Sequence, residues 1–280
     1  MNAFRNPMPM RRRTLLVGSA ALAAIAPLPA FARKPASLNY VLVHGAWHGG
    51  WCWRDVVPHL QTKGRVFTPT LTGLGERARL RTPVPSLATH IEDIVQLIEC
   101  EELQNVVLVG HSYGGMVITG VADRLKHRLR HVVYLDAVLP HDGQSLLANT
   151  PGSSAEIARQ AEQFRSMANG GDWLPPPPVS EFGLAGSQPH LIAWVERRLT
   201  PHPLRTLLDP IELKNGGSDG LHRTYVVCTN PPSRRGITQM QVTAIKAGKE
   251  GTGWRTHELA TGHDAMVTMP AAVAGLIAAT

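Results

Sequence analysis

Asn105-Val106-Val107-Leu108-Val109-Gly110-His111-Ser112-Tyr113-Gly114-Gly115-Met116-Val117 decides how the chain is read. It opens with an apolar, β-branched run of the length expected for a buried parallel strand. The run ends in Gly110-x-Ser112-x-Gly114 and passes into Met116-Val117-Ile118-Thr119-Gly120-Val121-Ala122, which can continue as a helix. Strand, sharp turn, serine and helix form the context in which G-x-S-x-G is a nucleophile elbow. The turn lifts the Ser112 hydroxyl to the carboxyl end of a sheet. It also sets the Tyr113 amide at a helix N-terminus, where it can bind an oxyanion. Alone, the pentapeptide could equally be a surface turn; the flanking strand and helix give it chemical meaning.

Upstream, Leu38–Val43 reads as the first core strand and runs into His44-Gly45-Ala46-Trp47-His48-Gly49-Gly50-Trp51. Gly45 lets the backbone turn so that an amide, that of Ala46, points toward Ser112 as the second half of an oxyanion hole. The backbone of this loop is its functional part, and His44 reads as a structural histidine bonding a loop carbonyl. Arg54 to Lys63 reads as a helix closed by Gly64 as a C-cap. Val66–Pro69 is a short strand, and Ser86 caps a helix through Glu101 with Ile91, Ile94, Val95 and Ile98 at helical spacing.

Downstream of the elbow, Val132–Leu135 is a strand followed at once by Asp136. From 140 to 220 the alternation breaks down around Pro175-Pro176-Pro177-Pro178, with amphipathic pieces near Ala155–Met167 and Leu191–Leu199. An insertion at the carboxyl end of the sheet reads as a largely helical cap. Thr224–Cys228 resumes the sheet, followed by a helix over Gly236–Lys249, a last strand Trp254–Leu259 and a closing helix Pro270–Ala279 with proline in its first turn. The alternation implies an α/β fold, a mostly parallel sheet flanked by helices, with a core of 33–139 and 221–280.

The chain has 280 residues, 43% hydrophobic and 18% charged, enough for one large α/β domain. The formal charge of +7 suggests an acidic partner, but residues 1–32 hold Arg5, Arg11, Arg12 and Arg13 and no acid, so the remainder carries +3. No basic face of the kind nucleic acid demands is evident. Arg11-Arg12-Arg13-Thr14-Leu15-Leu16, the apolar stretch to Ala26 and Ala30-Phe31-Ala32 read as a cleavable signal over 1–32, of twin-arginine type. The expected location is the periplasm or outside the cell, with no stable membrane anchor after cleavage. Cys52, Cys100 and Cys228 do not make a disulfide framework, and burial is the expectation for each. No Cys-x-x-Cys spacing appears, and neither metal nor cofactor is expected. A homodimer is left open.

A serine hydroxyl is a poor nucleophile at neutral pH and needs a base, which in turn needs an orienting acid. In this kind of fold the chain order is Ser, Asp or Glu, then His. His263, in the loop Ala260-Thr261-Gly262-His263-Asp264-Ala265-Met266 after the last strand, is the leading base; His257 lies within the strand. The loop after the penultimate strand, Thr229-Asn230-Pro231-Pro232-Ser233-Arg234, has no carboxylate. Asp136, at the carboxyl end of the strand after the elbow helix, is the best replacement. Asp209, Asp142 and Asn230 are alternatives.

The motifs Val41-Leu42-Val43-His44-Gly45-Ala46-Trp47-His48-Gly49-Gly50-Trp51-Cys52-Trp53, Gly110-His111-Ser112-Tyr113-Gly114-Gly115 and Gly262-His263-Asp264-Ala265-Met266 resemble the plant methylesterase and hydroxynitrile lyase branch of the α/β-hydrolases. They are similar to its bacterial esterase relatives, which include hydrolases of pyrethroid esters and of the carbamate carbendazim. The resemblance implies an α/β-hydrolase fold, Ser112 as nucleophile, His263 as base, and the amides of Ala46 and Tyr113 as oxyanion donors. Plant members carry their acid after the Cys-Thr of the penultimate strand, where this chain has Asn230-Pro231. Lyase members have threonine in place of Gly45 and lysine in place of Asp264, which argues against cyanohydrin cleavage.

The expected activity is hydrolysis of a small-molecule carboxylic ester through an acyl-enzyme. Gly45, Trp47 and Trp173 are the expected substrate-binding residues. With Trp51 and the cap leucines, the tryptophans could wall a pocket for esters with an aromatic or bulky apolar part. An amidase or carbamate hydrolase on the same residues, a lyase, and a ligand-binding protein on the same scaffold are the rivals.

Overall fold

The computed structural model describes residues 38–230 and 237–280. The 1–32 signal, the residues up to 37, and the 231–236 part of the loop without a carboxylate lie outside the described residues. Six parallel strands form one sheet in the order β2-β1-β3-β4-β7-β8. They are β1 (Leu38–Val43), β2 (Gly64–Phe67), β3 (Val106–His111), β4 (Leu129–Leu135), β7 (Arg223–Cys228) and β8 (Trp254–Leu259). β1, β3, β4 and β7 are buried almost throughout, as expected of parallel strands covered on both faces. The two remaining strands, β5 (Trp173–Leu174) and β6 (His202–Pro203), form a separate antiparallel pair inside the insertion.

The helices are α1 (Val57–Leu60), α2 (Leu87–Cys100), α3 (Gly114–Leu125), α4 (Ser154–Met167), α5 (Pro189–Glu196), α6 (Arg205–Leu208), α7 (Ile237–Lys246), α8 (Ala265–Thr268) and α9 (Pro270–Ala278). α2 and α3 cover one face of the sheet, where Ile91, Ile94, Val95, Val117 and Val121 join Val41, Val106 and Leu108 in one cluster. The other face packs Tyr40, Leu42, Val107 and Val109 against Trp53, Leu60, Val273 and Ile277. Ser86 caps α2 through a reciprocal pair with Thr89. The insertion over 140–220 holds α4, α5 and α6 and belongs to the same compact unit, Ala36–Thr280, as the sheet.

Three local expectations are corrected. Arg54 to Lys63 is not one helix. Gly50–Trp53 is a 3-10 turn and only Val57–Leu60 is α-helical, with Pro58 in its first turn. Gly64 is not a C-cap; it opens β2, where an added Cβ would stand 2.2 Å from the Leu38 carbonyl oxygen. Cys52 and Cys228 are buried but Cys100 is exposed at the end of α2, and all three thiols are free. Among the described residues no helix is long and apolar enough to cross a membrane.

The elbow is held by backbone-to-backbone contact. A Cβ on Gly115 would lie 1.9 Å from the Val138 carbonyl oxygen, and one on Gly114 would lie 2.9 Å from the carbonyl oxygens of Val43 and His44. Gly275, exposed in α9, has nothing within 4 Å of its added Cβ. Gly115→Ala should therefore cost about 3 kcal/mol, because backbone must move, lowering Tm by about 6–12 °C. Gly275→Ala should gain about 0.5–1 kcal/mol from helix propensity. Thermal unfolding of the two variants checks the contrast, which equal Tm shifts would contradict.

Candidate active site

Three chain segments meet at the carboxyl end of the sheet. The first is the loop after β1, the second the elbow between β3 and α3, and the third the loop between β8 and α8. Ser112 sits at the tip of the elbow with φ +54°, a left-handed conformation costly for a non-glycine residue. Its amide donates to the Leu135 carbonyl (3.3 Å), and its own carbonyl accepts from the Val138 amide (3.0 Å). Asp136, between those two partners, also has positive φ, +44°, and Trp47 in the first loop has +63°. Trp47, Ser112 and Asp136 all line one cavity of about 370 Å³. Backbone strain of this kind persists only where the surroundings over-determine it, and three of the six such non-glycine residues among those described border this one space.

Asp136 is buried. Its Oδ1 accepts from the Cys228 amide (3.0 Å), and its Oδ2 lies 2.6 Å from His263 Nδ1. A carboxylate oxygen only accepts, so His263 Nδ1 carries the proton and Nε2 is the basic nitrogen. His263 lines the same cavity as Ser112, as do Ala46 and Tyr113. Tyr113 is the N-cap residue of α3, so its amide precedes the intrahelical hydrogen-bond ladder. Gly45 packs directly on Ser112: an added Cβ would stand 2.9 Å from both Ser112 Cβ and His111 Nδ1. The other candidate acids and the second candidate base lie elsewhere. Asp142 accepts from the Leu213 amide, Asp209 pairs with Arg205, and the Asn230 amide donates to the Thr261 carbonyl. His257 is exposed on β8.

The remaining walls are mainly apolar, with Glu181 and Thr238 the polar residues among them. Val138 follows β4, the insertion supplies Leu146, Phe164, Phe182 and Leu207, and α7 supplies Ile237. Trp47 contributes its ring, tilted on Phe182 at 6.0 Å. Trp173, expected to line the pocket, does not. Its ring lies under the Arg81 guanidinium at 4.6 Å and against Gly73. Asp264 is buried outside the lining and bonded to His48 at 3.0 Å, so no charged side chain follows His263 into the cavity.

A cluster of buried imidazoles surrounds the site, and of these only the structural reading of His44 follows from sequence. His44 Nδ1 donates to the Gly45 carbonyl (2.8 Å) while Nε2 accepts from the Leu71 amide (3.0 Å). His90 accepts from the Tyr113 hydroxyl (2.8 Å) and donates to the Thr72 carbonyl (2.9 Å). His111 donates from Nε2 to the His263 carbonyl (3.0 Å). His202 donates to Thr206 Oγ1 (2.8 Å) and accepts the Trp47 amide (3.3 Å). Burial drives the His44 imidazole down to about 3 and that of His90 to about 4, and pushes those of His111 and His202 well below their ordinary value. These four are neutral, and each holds one tautomer through its partners. The local signal was the density of histidine around the motifs, His44 and His48 in one loop and His111 inside the elbow.

The alpha/beta hydrolase family matches residues 40–276. A carbendazim-hydrolyzing esterase of Nocardioides sp. (strain SG-4G) is 42% identical over 86% of this chain and 98% of its own. Methylesterase 1 of Arabidopsis thaliana is 34% identical over 68% of this chain and 77% of its own. An extracellular alpha/beta-hydrolase from a Paenibacillus species superposes with a TM-score of 0.72 at 23% identity, covering 86% of this chain and 97% of that one, a likeness of fold.

A histidine whose folded-state value lies below its unfolded one, 6.5, leaves the unfolded state binding more protons as pH falls. The stability from each neutral imidazole is therefore fully present above 6.5 and lost on acidification through the folded value. Between pH 7.5 and 5.5 the loss should be about 1.4 kcal/mol per histidine, about 5 kcal/mol for the four. Urea unfolding at the two pH values measures it; equal stabilities would contradict four neutral buried imidazoles.

Proposed function

The chain belongs to the alpha/beta hydrolase family and is a carboxylic ester hydrolase, and we propose that it works through an acyl-enzyme formed on Ser112. The observation that carries this reading is the 2.6 Å contact between His263 Nδ1 and Asp136 Oδ2 at a cavity that Ser112 also lines. His263 Nε2 takes the Ser112 proton as Oγ attacks the ester carbonyl carbon. The negative charge moves to the carbonyl oxygen and is met by the amides of Ala46 and Tyr113. Collapse breaks the bond to the alcohol, which leaves with the proton from His263. Water, deprotonated by the same imidazole, then releases the acid and regenerates Ser112. Asp136 holds the productive tautomer throughout and stabilises the imidazolium.

The cavity of about 370 Å³ falls in the range of small-molecule pockets, and its walls are mainly aliphatic and aromatic. Esters with an aromatic or bulky apolar group suit it, with residues 140–220 acting as the cap. Carbamate hydrolysis on the same three residues is a second reading, favoured by the 42% identity to the Nocardioides carbendazim esterase. Gly45 at the lyase threonine position and Asp264, buried against His48, count against cyanohydrin cleavage. Export through the 1–32 segment, an inference from sequence, would put the reaction in the periplasm or outside the cell.

A panel of methyl and aryl esters and carbendazim, with amide analogues of the same acyl groups, tests the reading. Ser112→Ala should lose at least about 10⁴-fold in kcat, and a fluorophosphonate should label Ser112 in the wild type. Asp136→Asn keeps an oxygen for the Cys228 amide but turns an N–H toward His263 Nδ1, forcing the wrong tautomer. It should lower kcat by about 10³–10⁴-fold with KM nearly constant. Wild-type turnover in Ser112→Ala would overturn the mechanism; near-wild-type turnover in Asp136→Asn would move the acid elsewhere.

A further inference from the structure

A second carboxylate–imidazole pair lies beside the one already described, outside the cavity lining. His48 and Asp264 are 1% and 0% exposed. His48 Nδ1 donates to the Ala46 carbonyl (2.8 Å), and Nε2 meets Asp264 Oδ2 at 3.0 Å. Burial alone would raise the Asp264 carboxyl, but the charge and hydrogen bond of His48 hold it below its ordinary value. With Asp264 ionised, both His48 nitrogens face acceptors. The pair joins two segments far apart in the chain, the loop after β1 and the loop that carries His263. Resting on the reading of Ser112 and His263 above, we propose that the His48–Asp264 pair is a positioning element that fixes the oxyanion-binding amide of Ala46 relative to the His263 imidazole.

The peptide planes on either side of the Ala46 Cα support this. The Gly45–Ala46 peptide, which carries the Ala46 amide, has its carbonyl bonded by His44 Nδ1. The Ala46–Trp47 peptide has its carbonyl bonded by His48 and its amide bonded to His202 Nδ1. Of these anchors, only His48 continues to the base loop. There Asp264 is itself tied down, its amide donating to the Phe182 carbonyl (3.0 Å) and its carbonyl accepting from the Val267 amide (2.9 Å). The preceding residue, His263, has its carbonyl held by His111 from inside the elbow (3.0 Å). Oxyanion loop, elbow and base loop are thus joined by His48, Asp264 and His111. Each link reaches the backbone that aims a reacting group and leaves the cavity wall untouched. An error of a few tenths of an ångström in such an arrangement acts on the transition state more than on substrate binding.

The single change His48→Ala strands a buried carboxylate and threatens the fold. The test therefore uses the apolar replacement of both partners, His48→Met with Asp264→Leu, which buried pairs commonly tolerate. Its companion is the isostere Asp264→Asn, whose carboxamide N–H can donate to Nε2 of a neutral His48 and keep both bonds. Turnover is measured per site titrated to completion with a fluorophosphonate, on protein with a wild-type circular dichroism spectrum. The double variant should lose about 100-fold in kcat, the size of one misplaced oxyanion donor, with KM within about threefold of wild type. Asp264→Asn should keep kcat within about threefold. Wild-type kcat in the double variant, or an Asp264→Asn variant as slow as the double, would overturn the proposal. Failure of Ser112 to label in the wild type would instead overturn the nucleophile reading, whatever the pair variants do.

Discussion

The site depends first on how closely three backbones approach at the elbow. Gly115 lies against the Val138 carbonyl so tightly that a methyl group would overlap it, and Gly114 lies against the carbonyls that end β1. These contacts bring the end of β3, the chain leaving β4 and the loop after β1 together with no side chains between them. Ser112 is then bonded through its main chain to Leu135 and Val138, the residues that bracket Asp136. The spacing between candidate nucleophile and candidate acid is therefore set by peptide hydrogen bonds rather than by flexible side chains. The positive φ at Ser112 and Asp136 is the conformational cost of that arrangement, sustained by the packing around it.

What was legible in the sequence follows from how local each signal is. The β3–turn–α3 unit is contiguous, so its apolar run, glycines and serine could be read together, and the strands on either side follow from alternation. The location of Asp136 was legible because a residue at the carboxyl end of a parallel strand has only one end of the sheet to face. The insertion offered no such geometry. Trp173 sits in a two-residue strand whose antiparallel partner, His202–Pro203, lies nearly thirty positions on, and nothing in the local pattern says which way its ring turns. Gly64 misled for a related reason. A glycine after a polar run resembles a helix C-cap, whereas here it is demanded by the Leu38 carbonyl of a neighbouring strand. Contacts between remote segments leave little trace in a periodicity.

The histidines illustrate a different kind of hidden information. Of the thirteen in the chain, five are buried around the cavity that His263 lines, and they divide by chemistry. His44, His90, His111 and His202 each act as one donor toward a backbone carbonyl or hydroxyl. A neutral ring fits there because no counter-charge is needed in a low-dielectric setting. His48 is the exception, with a carbonyl on one nitrogen and a carboxylate on the other. Composition reports only that histidine is frequent; the tautomer of each ring depends on partners from other segments.

The same network changes how the cap should be regarded. Trp47 donates from Nε1 to the Leu174 carbonyl (3.1 Å), donates its amide to His202, and accepts the Thr200 amide at its carbonyl (3.0 Å). All three partners belong to the insertion, and Trp47 adjoins Ala46, whose amide is the proposed oxyanion donor. The base loop is engaged too: Gly183 and Gly262 pack backbone to backbone, and Asp264 donates its amide to Phe182. An insertion that holds both the loop after β1 and the loop carrying His263 is part of the frame that fixes them. Displacing its inner edge would shift both loops. The outer helix α4, by contrast, reaches the cavity through Phe164 and Met167 and leaves most of its length exposed.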